Sequence, residues 1–319
     1  MRAGGRLALY GAGLVVAFGG AFAIAGAVIP NSSVAAWAKG SDMNAHGNGH
    51  DSGSETQPAG HAPNGVSIDA NGYVLSPVQA PETVASEGEL SFQVQTVAGD
   101  AVTEFAEAHE KDLHLIVVRA DGANFRHVHP ELDATTGTWS LPWTWDAAGT
   151  YRVYADFTPA AKGASGITLT RTVNVAGDFA PIATETKRTA EVDGFTVSLA
   201  GDLIAGASSD LTVSVERGGK PVTTLEPYLG AFGHLVALRE GDLAYLHVHA
   251  EGAEPHAGDT AGPEIGFAAE APTAGRYLLY FDFQVNGIVH TAEFVIDAGL
   301  DAGAHDDVDK PHSDDDSGH

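Results

Sequence analysis

The feature that most constrains the fold of this chain is an internal repeat marked by the pattern His-x₁₂-His-x-His. The pattern occurs at His114, His127 and His129, and again at His234, His247 and His249. The two copies are 120 positions apart in a chain of 319 residues, so each fits into a domain of ordinary size. Imidazole is the commonest side-chain metal ligand. The repeat therefore predicts two similar domains, each with a candidate metal site.

Both copies consist of short runs of Val, Ile, Thr and aromatic residues, separated by Gly, Asp, Asn and Pro. This pattern predicts strands and no helices. The copies align with few gaps, with Leu90 matching Leu211. About seven strands in roughly 105 residues is typical of an immunoglobulin-like sandwich. We therefore predict an all-β chain with two tandem immunoglobulin-like β-sandwiches, at residues 66–176 and 190–297.

In the first copy, a hairpin is predicted to bring the histidines together. Asp121-Gly122 is typical of a two-residue type I′ turn. That turn places His114 opposite His129, with His127 on the same face. Directly opposed residues have Cα atoms about 4.5–5.5 Å apart. Their rings can then share one ion at metal–nitrogen distances of about 2.0–2.1 Å.

In the second copy, a different turn predicts the same arrangement. Gly241-Asp242 fits a two-residue type II′ turn. The resulting register places His234 opposite His249, with His247 beside it. We therefore predict one site of three histidines in each sandwich.

Three further residues are candidate ligands. Asp156 and Asp282 occupy matching places late in apolar strands, where a carboxylate must be paired, hydrogen-bonded or metal-bound. Each could bind the ion or accept the ring N–H of a ligating histidine, and the alternative is an ion pair with a nearby arginine. His290 is a candidate extra ligand of the second copy, because the first copy has Leu169 in its place. His109 has no counterpart and is predicted to lie on a loop.

The N-terminus carries an uncharged run of 23 residues, positions 7–29, preceded by Arg2 and Arg6. Such a run is about 35 Å long as a helix and can span a bilayer. The positive-inside rule then puts the rest of the chain outside the cytoplasm. The alternative is a cleaved signal peptide. We predict a single-pass anchor or signal at residues 1–30, with the body extracytoplasmic, and secreted if this segment is cleaved.

Two polar segments frame the predicted sandwiches. Residues 31–65 are rich in Gly, Ser, Asn, Pro and His, and they are predicted to be a disordered linker. Residues 298–319 carry seven Asp and three His, and this acidic tail is predicted to be disordered as well. The tail could collect cations loosely or simply keep the protein soluble.

The composition narrows the chemistry of any site. A net charge of −26, from 42 acidic and 16 basic residues, argues against nucleic acid as a partner. The absence of cysteine excludes disulfides, thiolate zinc sites, iron–sulfur clusters and type-1 copper sites. Met1 and Met43 are the only methionines, which argues against a thioether Cu(I) site. Histidine and carboxylate ligands suit Cu(II), Zn(II) or Ni(II), and we predict Cu(II) or Zn(II).

Residues 66–297 resemble a group of exported or membrane-anchored bacterial proteins, common in actinobacteria, that are described as secreted or heavy-metal-binding-like. The segments that carry the resemblance are KDLHLIVVRADGANFRHVHPEL, AGTYRVYADFTP, GHLVALREGDLAYLHVHA and AGRYLLYFDFQVNGIVHTAEF. The resemblance implies metal handling, and the sandwich is similar in fold to small periplasmic copper-carrier modules. The second copy departs from the HxHP form, because Ala250 follows His249.

Together these features favour a membrane-tethered extracytoplasmic protein that buffers, sequesters or delivers Cu(II) or Zn(II). Its expected partners are metal ions, the membrane and an extracytoplasmic metal-acceptor protein. The alternative is a non-catalytic extracellular interaction or adhesion module with structural histidines. Superoxide dismutases also place an HxH pair on a sandwich, but the further ligands they need have no counterpart here. No catalytic motif is present, so we do not predict an enzyme.

Overall fold

Strands are the only regular elements of the described residues, 65–256 and 258–300, in this computed structural model. The predicted all-β fold is confirmed, and two successive sets of ten strands build it. The first set is β1 (Asp69–Ala70), β2 (Tyr73–Leu75), β3 (Gly88–Thr96), β4 (Phe105–Ala106), β5 (Leu113–Arg119), β6 (Arg126–Val128), β7 (Glu131–Asp133), β8 (Thr138–Trp143), β9 (Gly149–Pro159) and β10 (Ile167–Val175).

The second set follows the same plan further along the chain. It is β11 (Thr189–Val192), β12 (Phe195–Ala200), β13 (Leu203–Ile204), β14 (Ser208–Arg217), β15 (Lys220–Pro221), β16 (His234–Arg239), β17 (His247–Ala250), β18 (Glu264–Glu270), β19 (Gly275–Val285) and β20 (Ile288–Gly299).

The first sandwich packs one sheet, in the order β1-β2-β3-β8-β7, against a second sheet, β10-β9-β5-β6, to which β4 adds beside β9. Trp139, Trp143 and Trp145 share one parity in the sequence, which predicts a common face. All three are buried in the core between the two sheets. There they pack with residues such as Leu90 of β3 and Val153 of β9.

The second sandwich packs β11-β12-β14-β18-β17 against β13-β20-β19-β16, with β15 joined to β14. Its core mixes residues of both sheets, among them Val213 of β14, Phe267 of β18 and Leu279 of β19. The tandem immunoglobulin-like architecture expected from the repeat is therefore present.

A third apolar cluster joins the two sandwiches, which belong to one compact unit. Every residue of β5 is buried, whereas a strand with one solvated face would alternate. Leu115 and Val117 face the core of the first sandwich, and Ile116 and Val118 face the second sandwich. Tyr280 of the second sandwich stacks on Phe125 with ring centres 3.9 Å apart. Burial on both faces explains why five consecutive positions of β5, residues 114–118, include only one polar residue, His114.

Reciprocal hydrogen bonds tie each sandwich to the hairpin turn of the other. The hydroxyl of Tyr154 donates to the carbonyl of Leu243 at 2.6 Å, and that of Tyr280 donates to the carbonyl of Gly122 at 2.6 Å. Gly122 has a φ of 84°, and a Cβ there would lie 2.6 Å from Leu278 Cδ1. Glycine is therefore required at this turn both by its left-handed backbone and by the closeness of the second sandwich.

The register predicted for the first hairpin is observed, although the turn differs. Ile116 faces His127, and Leu115 faces Val128, as the prediction requires. Asp121, however, is absent from the residues with positive φ, which a type I′ turn needs at both central positions. Its carboxylate instead accepts hydrogen bonds from the guanidinium of Arg119 and from the amide of Ala123.

In the second hairpin, the predicted strand pairing is observed next to the turn but is wrong for β17. Next to the turn, Leu238 faces Tyr245 in the expected register. The chain then leaves the sheet of β16, and β17 pairs with β18 in the opposite sheet. His249 consequently faces Ala268 and not His234. Ala250 takes part in this ladder, whereas the proline at position 130 of the first copy lacks the N–H that a ladder residue donates.

The predicted anchor at residues 1–30 and almost all of the predicted linker and tail lie outside the described residues. Within positions 65–256 and 258–300, no helix has the length and apolar character needed to cross a membrane.

Candidate metal centre

Three histidines of the first sandwich converge on the face that is turned to the second sandwich. His114 lies at the start of β5, His127 lies in β6, and His129 follows β6 directly. His114 Nδ1 is 3.1 Å from His127 Nε2 and 3.2 Å from His129 Nε2. One ring nitrogen of each residue lies within 4.8 Å of those of the other two. We call this group the His triad.

Hydrogen bonds fix which nitrogens of the His triad face each other. His114 Nε2 lies 3.0 Å from the carbonyl oxygen of Ala108, so Nε2 carries the hydrogen and donates it. His127 Nδ1 lies 2.9 Å from Asp282 Oδ2, so Nδ1 is the donor of that ring. In the neutral rings, the lone pairs of His114 Nδ1 and His127 Nε2 are therefore left pointing at the same region.

Asp282 reaches the His triad from the other sandwich. Its side chain is 3% exposed, and its second oxygen accepts a hydrogen bond from Thr291 at 2.6 Å. Asp282 pairs with His127 and not with an arginine, which was the predicted alternative. The nearby arginines pair elsewhere, in Arg119–Asp121, Arg126–Asp146 and Arg276–Asp297. A carboxylate that accepts the second N–H of a ligating imidazole orients the ring and raises its basicity.

Burial keeps the rings of His114 and His129 neutral. It lowers the pKa of His114 to about 3, because a buried imidazolium loses its hydration, and the nearby His127 ring lowers it further. Burial lowers the pKa of His129 to about 3 for the same reason. Metal ions bind the neutral form of imidazole, so at neutral pH no proton has to leave before these rings can bind.

The two separations measured from His114 Nδ1 fit nitrogens bound to one transition-metal ion. Two nitrogens bound to the same ion at about 2.0–2.1 Å lie roughly 3–3.5 Å apart. The observed 3.1 and 3.2 Å fall in that range. Three imidazoles with a supporting carboxylate suit Zn(II) or Cu(II) better than the oxygen-seeking cations.

His234 of the second copy makes the same local hydrogen bond as His114, from its ring to a carbonyl six residues earlier. Its Nε2 donates to the carbonyl of Tyr228 at 2.8 Å, so its Nδ1 carries the lone pair. Burial lowers the pKa of His234 as well. Its ring centre lies 6.4 Å from that of His127, so it stands beside the His triad of the first sandwich.

The group formed by the His triad does not include His249, Asp156 or His290. The backbone of His247 faces Glu270, and His249 is exposed on β17, because that strand belongs to the opposite sheet. Asp156 faces His114 across the ladder and accepts a hydrogen bond from Thr168 at 2.9 Å. His290 packs on Phe195 and pairs with Asp193 at 2.7 Å. The separate three-histidine site predicted for the second sandwich is therefore not formed by hairpin pairing.

One histidine at the site was missed by the sequence analysis. His109, which was predicted to lie on a loop and was not named as a candidate ligand, has its ring centre 6.0 Å from that of His114 and 5.7 Å from that of His234. No sequence signal predicted this, because His109 lacks a partner at the spacing of the repeat. The pairing of His127 with Asp282 was equally hidden, since it joins residues 155 positions apart.

Residues 69–177 and 190–299 each match the family described as a domain of unknown function, DUF8832. The two matches cover more than half of the chain. The chain belongs to the DUF8832 family. The two DUF8832 copies coincide with the two sets of ten strands. No curated protein matches the chain.

Several solved structures are distantly similar to this chain. Invasin, a bacterial integrin-binding protein, is 12% identical over 72% of this chain, with a TM-score of 0.21. The chain spans 39% of the invasin chain, which is less than two thirds of it. The adhesin InvE of Yersinia pseudotuberculosis is 12% identical over 72% of this chain and 60% of its own, with a TM-score of 0.21. The D0-D1 domain of intimin is 13% identical over 67% of this chain and 92% of its own, with a TM-score of 0.19.

Proposed function

We propose that this protein holds a divalent transition-metal ion, Cu(II) or Zn(II), on the His triad. It buffers, sequesters or delivers the ion and does not catalyse a reaction. The observation that carries the proposal is the short separation between nitrogens whose hydrogens are engaged elsewhere. His114 and His127 each donate their N–H outward, to Ala108 and Asp282, while their other nitrogens lie 3.1 Å apart. Two facing lone pairs at this distance repel each other, and a cation between them removes the repulsion.

The burial of the site supports storage or transfer more than chemistry on a large substrate. The side chain of His127 is 5% exposed and that of Asp282 is 3% exposed. An ion held among such side chains has little room for an organic substrate beside it. The resemblance of the HxHP segments to exported heavy-metal-binding-like proteins favours the same role.

The experiment compares two equivalent histidines by isothermal titration of the full chain with Cu(II) and with Zn(II). His129→Ala removes one nitrogen of the His triad, and we expect it to weaken the tightest site by more than about 100-fold. His249→Ala is the matched control, because the two residues align in the repeat but His249 is exposed on β17. Equal effects of the two substitutions, or binding that neither of them changes, would refute the proposal.

The location is a second part of the proposal. The uncharged run at residues 7–29 would tether the protein to the membrane, with the sandwiches outside the cytoplasm. An extracytoplasmic metal-acceptor protein is then the expected partner. Protease digestion of intact cells tests this, because a tag at the C-terminus should be removed from whole cells as readily as from lysed ones.

A second candidate is a non-catalytic interaction or adhesion module with structural histidines. The observation that favours it is that these rings already bind protein groups. His114 ties β5 to the turn at Ala108, and His127 ties one sandwich to Asp282 of the other. On this hypothesis, His114→Gln lowers thermal stability by the same amount with and without added metal. On the metal-binding hypothesis, added Cu(II) or Zn(II) stabilises the unchanged protein and stabilises the variant much less.

A further inference from the structure

The turn that precedes β5 has an unusual backbone. The amide of Ala108 donates to the carbonyl of Lys111 at 2.9 Å, and the amide of Lys111 donates back at 3.2 Å. The two residues between them, His109 and Glu110, have φ values of 50° and 61°. Positive φ at both central residues is the geometry of a type I′ turn, and it is uncommon for residues other than glycine.

The second copy has the same turn with different side chains. Tyr228 and Ala231 exchange the equivalent hydrogen bonds around Leu229 and Gly230, whose φ values are 54° and 74°. Leu229, which takes the place of His109, is 2% exposed and apolar. The fold therefore accepts an apolar residue at this position, and the turn itself does not require a histidine.

His109 links solvent to the buried rings. It is exposed, whereas His114 is 7% exposed. Its ring centre lies 6.0 Å from that of His114 and 5.7 Å from that of His234. The rings of the His triad are 5.0 to 5.3 Å apart, close to the spacing of about 5 Å for imidazoles that share one ion. The ring centre of His109 is 6.0 Å from that of His114, and that of His234 is 6.4 Å from that of His127, so both lie outside this spacing. The 5.7 Å between His109 and His234 is closer to it.

The chain around His109 is acidic. Residues 104–112 contain three Glu, one Asp and one Lys, and all five of these side chains are exposed. Such a field raises the local concentration of cations and speeds their association. The exposed ring of His109 lies inside this field, and the His triad lies beneath it.

We propose that His109 and His234 form a loading position, which binds the incoming Cu(II) or Zn(II) ion first and passes it to the His triad. This inference rests on the proposed function. Transfer is ligand exchange without oxidation or reduction: the ion loses bound water as it gains the His109 and His234 nitrogens, and then exchanges these for the nitrogens of the His triad. A loading position changes the rates of binding and release together and leaves the equilibrium affinity almost unchanged.

The test is stopped-flow transfer of Cu(II) from a weak chromophoric chelator to the full chain. His109→Asn removes the imidazole but tolerates the left-handed backbone, and His109→Leu introduces the residue that the second copy has. We expect both variants to slow transfer by about ten-fold or more, with an equilibrium affinity within about three-fold of the unchanged protein. Glu110→Asn is the control, since it removes a charge from the same turn, and it should slow transfer by less than about three-fold.

Several results would overturn the loading position. One is unchanged transfer in both His109 variants, and another is equal slowing by Glu110→Asn, which would assign the effect to charge. A fall in equilibrium affinity as large as that of His129→Ala would make His109 a permanent ligand. Failure of the proposed function is distinguishable, because His129→Ala would then leave the affinity for Cu(II) intact. The histidines of the tail are the same in every variant, so any Cu(II) that they bind contributes equally to each measurement.

Discussion

His127 of the first sandwich donates its Nδ1–H to Asp282 of the second sandwich over 2.9 Å, and the two side chains are 5% and 3% exposed. The hydrogen bond leaves Nε2 of His127 to face His114. The second sandwich therefore completes a site whose three nitrogens all come from the first. An isolated first sandwich would lack the carboxylate that orients this ring.

Replacing Asp282 by asparagine should weaken metal binding without removing a ligand. The amide is a poorer acceptor for His127 Nδ1–H, and loss of such a supporting carboxylate costs about 10–100-fold in metal affinity. Competition titration with Cu(II) and Zn(II) measures the change. Asp193→Asn is the matched control, because Asp193 also pairs with a histidine, His290, which is not part of the His triad. An affinity that is equally reduced in both variants would contradict the role assigned to Asp282.

As the pH falls, the metal-free protein should begin to lose stability at a higher pH than protonation of its carboxylates alone would cause. Burial lowers the pKa of His114 and His129 to about 3, from an ordinary value near 6.5. The unfolded chain takes up these two protons first, so the free energy of unfolding falls as the pH drops from about 6.5 towards 3.

Urea unfolding in the presence of a chelator, at pH 7.5 and at pH 4.5, measures this loss. The double variant His114→Gln, His129→Gln should lose less stability between the two pH values than the unchanged protein. At pH 4.5 most carboxylates with lowered pKa values, such as Asp121, are still charged in both proteins. Identical losses in the two proteins would show that these rings are not held neutral by burial.

The reciprocal tyrosines should contribute similarly to the joint between the sandwiches. Tyr280→Phe removes the donor to the buried carbonyl of Gly122, and Tyr154→Phe removes the donor to that of Leu243. Each substitution should lower the free energy of unfolding by about 1–2 kcal/mol, because a buried carbonyl loses its partner. Urea unfolding of the two single variants checks this. A loss in only one of them would mean that the two halves of the joint are not equivalent.

Two buried tryptophans of the first sandwich should differ in their response to phenylalanine. Trp145 Nε1 donates to the carbonyl of Pro81 at 2.7 Å, whereas Trp139 Nε1 has no hydrogen-bond partner among the described residues. Both side chains are 2% exposed, so the loss of volume is matched. Trp145→Phe should therefore destabilise the protein by about 1 kcal/mol more than Trp139→Phe in thermal or urea unfolding. The opposite order would show that packing outweighs the hydrogen bond.

Most of the fold and half of the site were accessible to reasoning from the sequence. The repeat, the strand pattern and the register of the first hairpin together predicted that His114 and His129 would meet, and they do. The same reasoning misplaced His249, because a hairpin turn constrains only the residues next to it. Leu238 and Tyr245 keep the predicted register, and hydrogen bonding to β18 then takes over the strand. Whether β17 pairs with β16 or with β18 depends on the packing of the whole sandwich.

What the sequence determined by itself is local: where strands begin and end, which residues alternate in and out, and which histidines a short turn can bring together. These properties depend on turn chemistry and on the two-residue period of a strand, both of which act over a few positions. Only the tertiary structure decided that His234 and Asp282 of the second copy lie beside the His triad of the first. That outcome depends on the packing of Ile116 and Val118 against the second sandwich, which brings Asp282 and His234 to the first. The free energy of burying two apolar faces against each other is spread over many residues that are distant in the sequence. The intervals between residues in the sequence therefore do not indicate which faces will pack together.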